Sequence, residues 1–427
     1  MIRNIVTLGR QERGQVLALA AILALTLIAF VGLVVDAGFL YAQRRQAQNA
    51  ADEAALAGAH ALLEGSSQIE AEAAAFEYAD RNGYDNVTDN TVTVNIPPLS
   101  GENAGDPDYI EVIVEEQPTS FFIHVVVPGR STVQARGVAT VGSYPAEYAI
   151  IVLDEHACEA YDQIGGAHLT INGGGVMVNS DCQPDAFSNS GSGDLLVDSP
   201  IHVHGGDQTG GSSITSPDPV TVPWTIDDPL ADVVPPTLGA PAPGSTGTAT
   251  NPDTWRVTTD VVLTLQPGTY YGGFYSNCTC TIYMAPGVYI MAGGGFTKAG
   301  GTTFVGNGVM IYVTENPTNA TGDGAPMPFD LAGSGALDLS PATSGPYAGI
   351  ALWQDASVTS DFRMRGSNDL AEGIFYVPGA TMDLSGDADL GSVQLIVNDL
   401  YLHGNSFFTI DYVPFVTAEV PKAVLVE

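Results

Sequence analysis

Residues 16–35 form a run without a single charge, in which Thr26 is the one clearly polar side chain. At about 1.5 Å per helical residue such a run spans the roughly 30 Å hydrocarbon core of a bilayer. It is longer than the roughly 7–15 apolar residues of a cleaved signal peptide. It also lacks a small-x-small exit and continues through Asp36 into Tyr41-Ala-Gln-Arg-Arg45 without a helix breaker. The sequence therefore predicts a retained transmembrane helix over 16–35, with membrane lipid as its partner. Arg3, Arg10 and Arg13 precede the span and Arg44 and Arg45 follow it, a slight bias in orientation. Four cysteines in a chain with only two lysines, Lys298 and Lys422, fit an oxidising exterior. Residues 1–15 are accordingly expected in the cytoplasm and everything after residue 35 outside it, as a single-pass protein with its C-terminal part at the cell surface.

Charge separates the two sides. Five of the 13 basic residues lie before residue 46, against two of the 48 acids, Glu12 and Asp36. The remainder is strongly acidic, which disfavours nucleic acid and anionic lipid as partners and favours solubility or cation binding. With 49 glycines, 27 prolines and 14% charged residues, the composition points to a turn-dense, mainly β protein rather than a charged disordered chain.

Beyond the span, alanine dominates from Asp36 to Ala59, and the pattern reads as one helix continuous with the anchor and ending at Gly65. A second helix, 68–81, is bracketed by the capping-box pair Ser67 and Glu70 and by Asn82-Gly83. Alternating apolar residues then predict three strands, around Val92 to Ile96, Ile110 to Val114 and Val133 to Val141, the last after Phe121-Phe122.

Arg13-Gly-Gln15 before the apolar run, Val35-Asp36 at its end, and Gln46-Ala-Gln-Asn-Ala-Ala-Asp52 leading into Ala54-Ala-Leu-Ala-Gly58 together resemble the N-terminal module of TadE/TadG-like proteins of the Tad (Flp) pilus assembly system. The resemblance implies a membrane-tethered, pilin-like α+β stalk over 36–144 and pilus or secretion-system proteins as partners. One departure is that a prepilin peptidase site wants glutamate five positions after its cleavage glycine, whereas counting from Gly14 gives Leu19. Processing as a major pilin is not expected.

Many such relatives continue into a von Willebrand A domain, and Ala149-Ile-Ile-Val-Leu-Asp154 is similar to its first strand. Its metal site needs Asp-x-Ser-x-Ser, but His156 and Cys158 stand at the serine positions. Instead, short apolar strands alternate with glycine clusters over 145–205. A Pro/Gly/Ser/Thr-rich linker is expected at 206–254, and the strand pattern resumes over 255–427. Pro267-Gly-Thr-Tyr270 and Pro286-Gly-Val-Tyr289 lie one solenoid coil apart, which suggests a right-handed parallel β-helix, with a β-sandwich as the alternative. Val178-Asn-Ser180 and Asp228-Pro-Leu-Ala231 resemble the glycine-rich β-helical region of some TadG-like proteins.

Candidate chemistry is sparse. His202 and His204 share a strand face as two metal ligands would, with Asp198 or Asp207 as a third, but a solvated polar face is the plainer reading. Asp383, Asp387 and Asp389 are spaced carboxylates that could take calcium, without an EF-hand or nonapeptide pattern. Arg363 and Arg365 are the one closely spaced basic pair after residue 145, and Lys298 or Arg256 could join them one coil away in a lyase-like site. Salt bridges on an acidic surface explain the pair as well. Asn86-Val-Thr88, Asn277-Cys-Thr279 and Asn319-Ala-Thr321 match the N-glycosylation pattern, without consequence in a bacterium. No catalytic, cofactor or metal site is assigned. Cys158 and Cys182 are expected to form a disulfide worth about 3 kcal/mol, and Cys278 and Cys280 are left unpaired or weakly paired. The expected function is a non-enzymatic structural or assembly component of a Tad-type pilus. A surface adhesin or glycan-binding protein with a surface glycan as ligand, and a β-helix polysaccharide-active enzyme, are the alternatives.

Overall fold

The computed structural model describes residues 13–87, 89–118, 122, 132–366 and 372–426. The chain divides into two compact units, Met1–Ser143 with Pro421–Glu427, and Tyr144–Val420.

Unit 1 is built on helix α1, Arg13–Leu63, about 75 Å long. Its C-terminal end is closed by Gly65 at positive φ, with the Gly65 and Ser66 amides donating to Leu62 and Ala61. Helix α2, Gln68–Arg81, starts in the expected capping box: the Glu70 amide donates to Ser67 Oγ, and the Ser67 amide donates to the Glu70 carboxylate at 2.8 Å. Strands β1 (Asn90–Asn95), β2 (Tyr109–Glu116) and β3 (Val133–Ala146) pair antiparallel, with Val92 opposite Val114 and Val94 opposite Val112. Ala47, Ala50, Ala51, Ala54, Ala55 and Ala59 of α1 are fully buried against this sheet and α2. The approach is close enough that a Cβ on Gly137 would sit 2.7 Å from the Ala51 carbonyl carbon. A fourth strand, Ala418–Leu425, pairs beside β3. The expectation that 255–427 is solenoid throughout is thus corrected at its end, because the last strand completes the sheet of unit 1.

Unit 2 is a parallel β-solenoid of about 11 turns over residues 150–403. Each full coil contributes a strand to each of three faces. Tyr148–Val152, Tyr161–Gly165 and His168–Asn172 make one coil, and Gly175–Val178, Phe187–Gly191 and Leu195–Val197 stack on it in register. Gly165, Gly191 and Gly211 follow one another at the same corner at positive φ, where a Cβ on Gly191 would lie 2.3 Å from the Gly165 oxygen. The two Pro-Gly-x-Tyr motifs fall on adjacent coils. Their rings stack at 6.0 Å, and each hydroxyl returns to a carbonyl four residues back, Gln266 for Tyr270 and Ala285 for Tyr289.

Coil order does not follow chain order. The coils between 148 and 216 advance to one end of the array, and the coils from 255 onward begin at the other end. The two series meet where Leu395–Val397 pairs with Ile150–Val152 and Phe407–Asp411 pairs with His168–Asn172. The segment expected as a linker, 206–254, is what makes this possible. It first supplies strands Asp207–Gly211, Thr215–Ser216 and Val220–Thr221, then runs as a strap along the outward side of the first face. Val222, Ile226 and Leu230 are buried there with Ile290, Tyr312, Trp353 and Tyr376. Buried Asn179 clasps the strap at Ile226 by donating to its carbonyl at 2.8 Å and accepting its amide at 3.0 Å. Tyr376 donates to Asp228 at 2.5 Å, and Tyr271 donates to the Gly239 carbonyl at 2.8 Å. At the first end of the array the inward rows of the second and third faces turn polar, with Asp207 opposite Phe187 and Thr215 opposite Leu195, while Ile201 and Val203 keep the first face apolar.

Candidate functional site

The best-formed polar constellation of unit 1 lies where the Gln46 to Asp52 motif meets the sheet. Gln48 Nε2 donates to Asp52 at 2.8 Å and to the Arg136 carbonyl at 2.7 Å, tying the helix to β3. Burial raises the Asp52 carboxyl and the Gln48 contact opposes that shift. On the same sheet, the Glu111 side chain is fully buried and accepts from Arg136 Nε at 2.6 Å, Ser100 Oγ at 2.8 Å, Asn95 Nδ2 at 2.8 Å and the Leu99 amide at 3.1 Å. Burial alone would raise its pKa, but the four donors outweigh it and bring it down to about 2. This site holds the fold: every lone pair of the carboxylate faces a donor from its own chain. Sequence reading missed it, because nothing local pairs Glu111 with Arg136.

On the solenoid, the sequence candidates scatter. His202 is half-buried on Ile201–Val203, with Tyr148 Oη 2.7 Å from Nδ1 and the Trp224 ring at 5.3 Å, and burial lowers its pKa. His204 lies beyond the strand, its Nδ1 3.2 Å from the Val222 carbonyl oxygen. Asp198 accepts the Gly173 amide at 3.3 Å and Asp207 sits in register with Phe187. The two histidines therefore face the strap and do not converge with these acids. Asp154 turns a coil corner by accepting the amides of His156 and Ala157, at 2.8 and 2.6 Å. Among the described residues, the one close group of metal-type side chains is Cys158, Cys182 and Asp185, and both of its sulfurs are joined in a disulfide. Cys278 and Cys280 are joined as well.

Arg363 and Arg365 project outward from Phe362–Arg365 on the second face. Arg363 meets Asp361 at 3.1 Å and Asp383 at 4.0 Å, Arg365 grips Asp330 at 2.6 and 2.8 Å, and His403 reaches Asp383 at 2.9 Å. Asp387 accepts the Phe407 amide at 3.0 Å; the Asp389 side chain lies outside the described residues, as does Thr88 of the first glycosylation pattern. Lys298 does not join the arginines. Its side chain is fully buried inside the solenoid, with Nζ 3.3 Å from the Ala332 carbonyl, and burial lowers its pKa to about 8. Arg256 shares the outward row of Arg363 through Tyr275, Thr297 and Asp330, but four coils away, roughly 19 Å at ~4.8 Å per coil.

A cleft of about 490 Å³ opens where the strap crosses the first coils, lined by Glu155, His156, Asn179, Asp181, His204 and Trp224 among others. His156 Nδ1 stands 3.2 Å from Asp181, whose hydrogen bond raises the imidazole pKa. An indole beside carboxylates can stack on a sugar ring and accept hydrogen bonds from its hydroxyls.

Among the described residues one helix is long and apolar enough to cross a membrane, and its apolar part is almost wholly exposed. The Flp pilus-assembly TadE/G-like family matches residues 14–61. No curated protein and no solved structure matches the chain. The matched segment contains the apolar run, Val35-Asp36 and the alanine face that forms the core of unit 1. Residues 14–61 therefore match a TadE/G-like domain, and this segment with its apolar helix supports a membrane-anchored, pilus-related role for the chain.

Proposed function

We propose that this chain is a non-enzymatic structural or assembly component of a Tad (Flp) type pilus system, with its solenoid displayed for contact with other pilus or secretion-system proteins. The observation that carries the reading is the TadE/G-like match over 14–61. The solenoid sequence is inserted between β3 and Ala418–Leu425, which are neighbours in one sheet, so a large display element is accommodated without interrupting the anchor's own fold. The N-terminus is cytoplasmic and both folded units are extracytoplasmic, a placement supported by two disulfides. The non-enzymatic reading is supported by the engagement of Arg363 and Arg365 with carboxylates of their own surface. Deleting the gene should abolish Tad pili. The full chain should restore them, and a chain with 144–420 replaced by a short glycine turn should not. Unchanged piliation in the deletion strain would refute the assignment.

A second reading, a surface adhesin that binds glycan, is favoured by the Trp224 cleft. Glycan-array binding by the full-length protein that is lost in Trp224→Ala would establish it; binding indifferent to that change would remove the cleft from consideration.

A further inference from the structure

From Val16 to Asp36 the anchor helix is exposed except at two positions one turn apart, Gly32 within the apolar run and Asp36 just after it, both buried. Both are covered from the same side. The Phe122 amide, in the connection between β2 and β3, donates to Asp36 Oδ2 at 2.7 Å. The Phe122 ring lies over Gly32 so closely that a Cβ there would meet the ring at 2.8 Å. Glycine is thus the residue that lets an aromatic ring rest on the helix backbone. Gly32 lies about 4.5 Å inside the end of the apolar run at Val35. Tyr41, Arg44 and Arg45 lie on the other side of Asp36, where an aromatic ring and two guanidinium groups suit the headgroup layer.

Beside the ring is an entirely apolar groove of about 260 Å³, lined by Leu27, Ile28, Val31, Gly32, Val35 and Phe122. Phe122 remains 47% exposed. Groove and ring are continuous with the exposed face of Val16, Leu19, Leu23 and Leu27, which belongs to lipid if the helix crosses a membrane.

We propose that Phe122 is a second membrane contact. Asp36 holds the Phe122 backbone at the boundary of the hydrocarbon, and the ring enters the acyl region with a lipid chain in the groove beside it. One helix alone lets an attached domain pivot, whereas a second insertion point sets its height and tilt over the bilayer. The inference rests on the reading of 16–35 as a membrane anchor, and its test separates the two.

All four native cysteines are paired. Phe122→Cys, Leu23→Cys and Ile69→Cys can therefore each carry a nitroxide in the full-length protein, reconstituted in phosphatidylcholine vesicles. The labels are compared for collision with molecular oxygen, which concentrates in lipid, and with a water-soluble nickel chelate. Labels at 23 and 122 should favour oxygen and be shielded from nickel, and the label at 69, on exposed α2, should show the reverse. Nickel access at 122 equal to that at 69, with 23 shielded, would overturn the inference and leave the anchor standing. Nickel access at 23 would bring down the anchor reading itself. In an Asp36→Ala background the label at 122 should gain nickel access while 23 stays shielded, and Asp36→Asn, which keeps an acceptor, should preserve the shielding. A label at 122 that stays shielded in Asp36→Ala would overturn the role given to Asp36.

Discussion

The two units solve the packing problem with opposite side chains. Unit 1 closes on alanine: six fully buried alanines on α1 and three on α2 let backbones approach, and its sheet lies over them with Gly137 against the Ala51 backbone. Unit 2 closes on rings. Trp255, Phe274, Phe296, Phe329 and Phe362 succeed one another from coil to coil at centroid distances of 5.0 to 6.0 Å. Shape tolerance follows from this. A helix packed by contact of backbones has no room for a larger residue, whereas a column of rings is sensitive to losing volume.

The largest expected effect is therefore a truncation in the column. Phe296 is fully buried between Phe274, Phe304 and Phe329, and Phe296→Ala should cost about 3–5 kcal/mol. Hydrogen exchange should report the loss in the coils around 274–331 while amides of unit 1 keep their protection. Equal loss in both units would break the comparison by showing that they unfold together.

Next comes the one buried ion pair of unit 1 described above. The Glu111 carboxyl is held at about 2 against an ordinary 4.5, so its contribution is fully present above pH 4.5 and is lost as pH falls from 4.5 towards 2. The linked free energy is on the order of 3 kcal/mol. Arg136→Ala removes the strongest of the opposing donors. It should destabilise unit 1 by about 3–5 kcal/mol at neutral pH and shift its acid transition to higher pH. A transition that does not move, followed by hydrogen exchange at stepped pH, would contradict this.

How much of this was legible in the sequence follows from the range of each interaction. The anchor, the capping box at Ser67 and the alternating strands are local patterns, and they appear where the residues predict them. The Pro-Gly-x-Tyr repeat showed a coil because its two copies are consecutive coils. By contrast, composition made 206–254 a linker: its prolines and glycines rule out a long strand, but they do not prevent Val222, Ile226 and Leu230 from being buried as an extended strap. The meeting of the two coil series at Leu395 and Ile150 pairs residues far apart in the chain, and no local period encodes it. The same holds for Glu111 with Arg136 and for Asp36 with Phe122.

Overpacking is the third test. Ala51 is fully buried with its backbone against Gly137, so Ala51→Leu should cost about 1–3 kcal/mol in unit 1. The same alanine-to-leucine change at Ala61, a partly exposed position of the same helix, should be close to neutral. If both are neutral in thermal unfolding of unit 1, the close-packing account of the alanine face is wrong.

The smallest expected effect is on the outward row of the solenoid. Arg365 holds Asp330 through two contacts, at 2.6 and 2.8 Å, which is good geometry, yet its side chain remains 48% exposed. Solvent and salt screen such a pair, so Arg365→Ala should change stability by less than about 1 kcal/mol, and by less still in high salt. Since Arg363 and Arg365 are also the cations a lyase would need, the same variant tests their role twice. As exposed members of an ion-pair ladder they should be removable with little consequence for pilus assembly. A loss of piliation in Arg365→Ala without a loss of thermal stability would show that this row is a contact surface in its own right. It would also move the functional centre of the solenoid from the strap side to the second face.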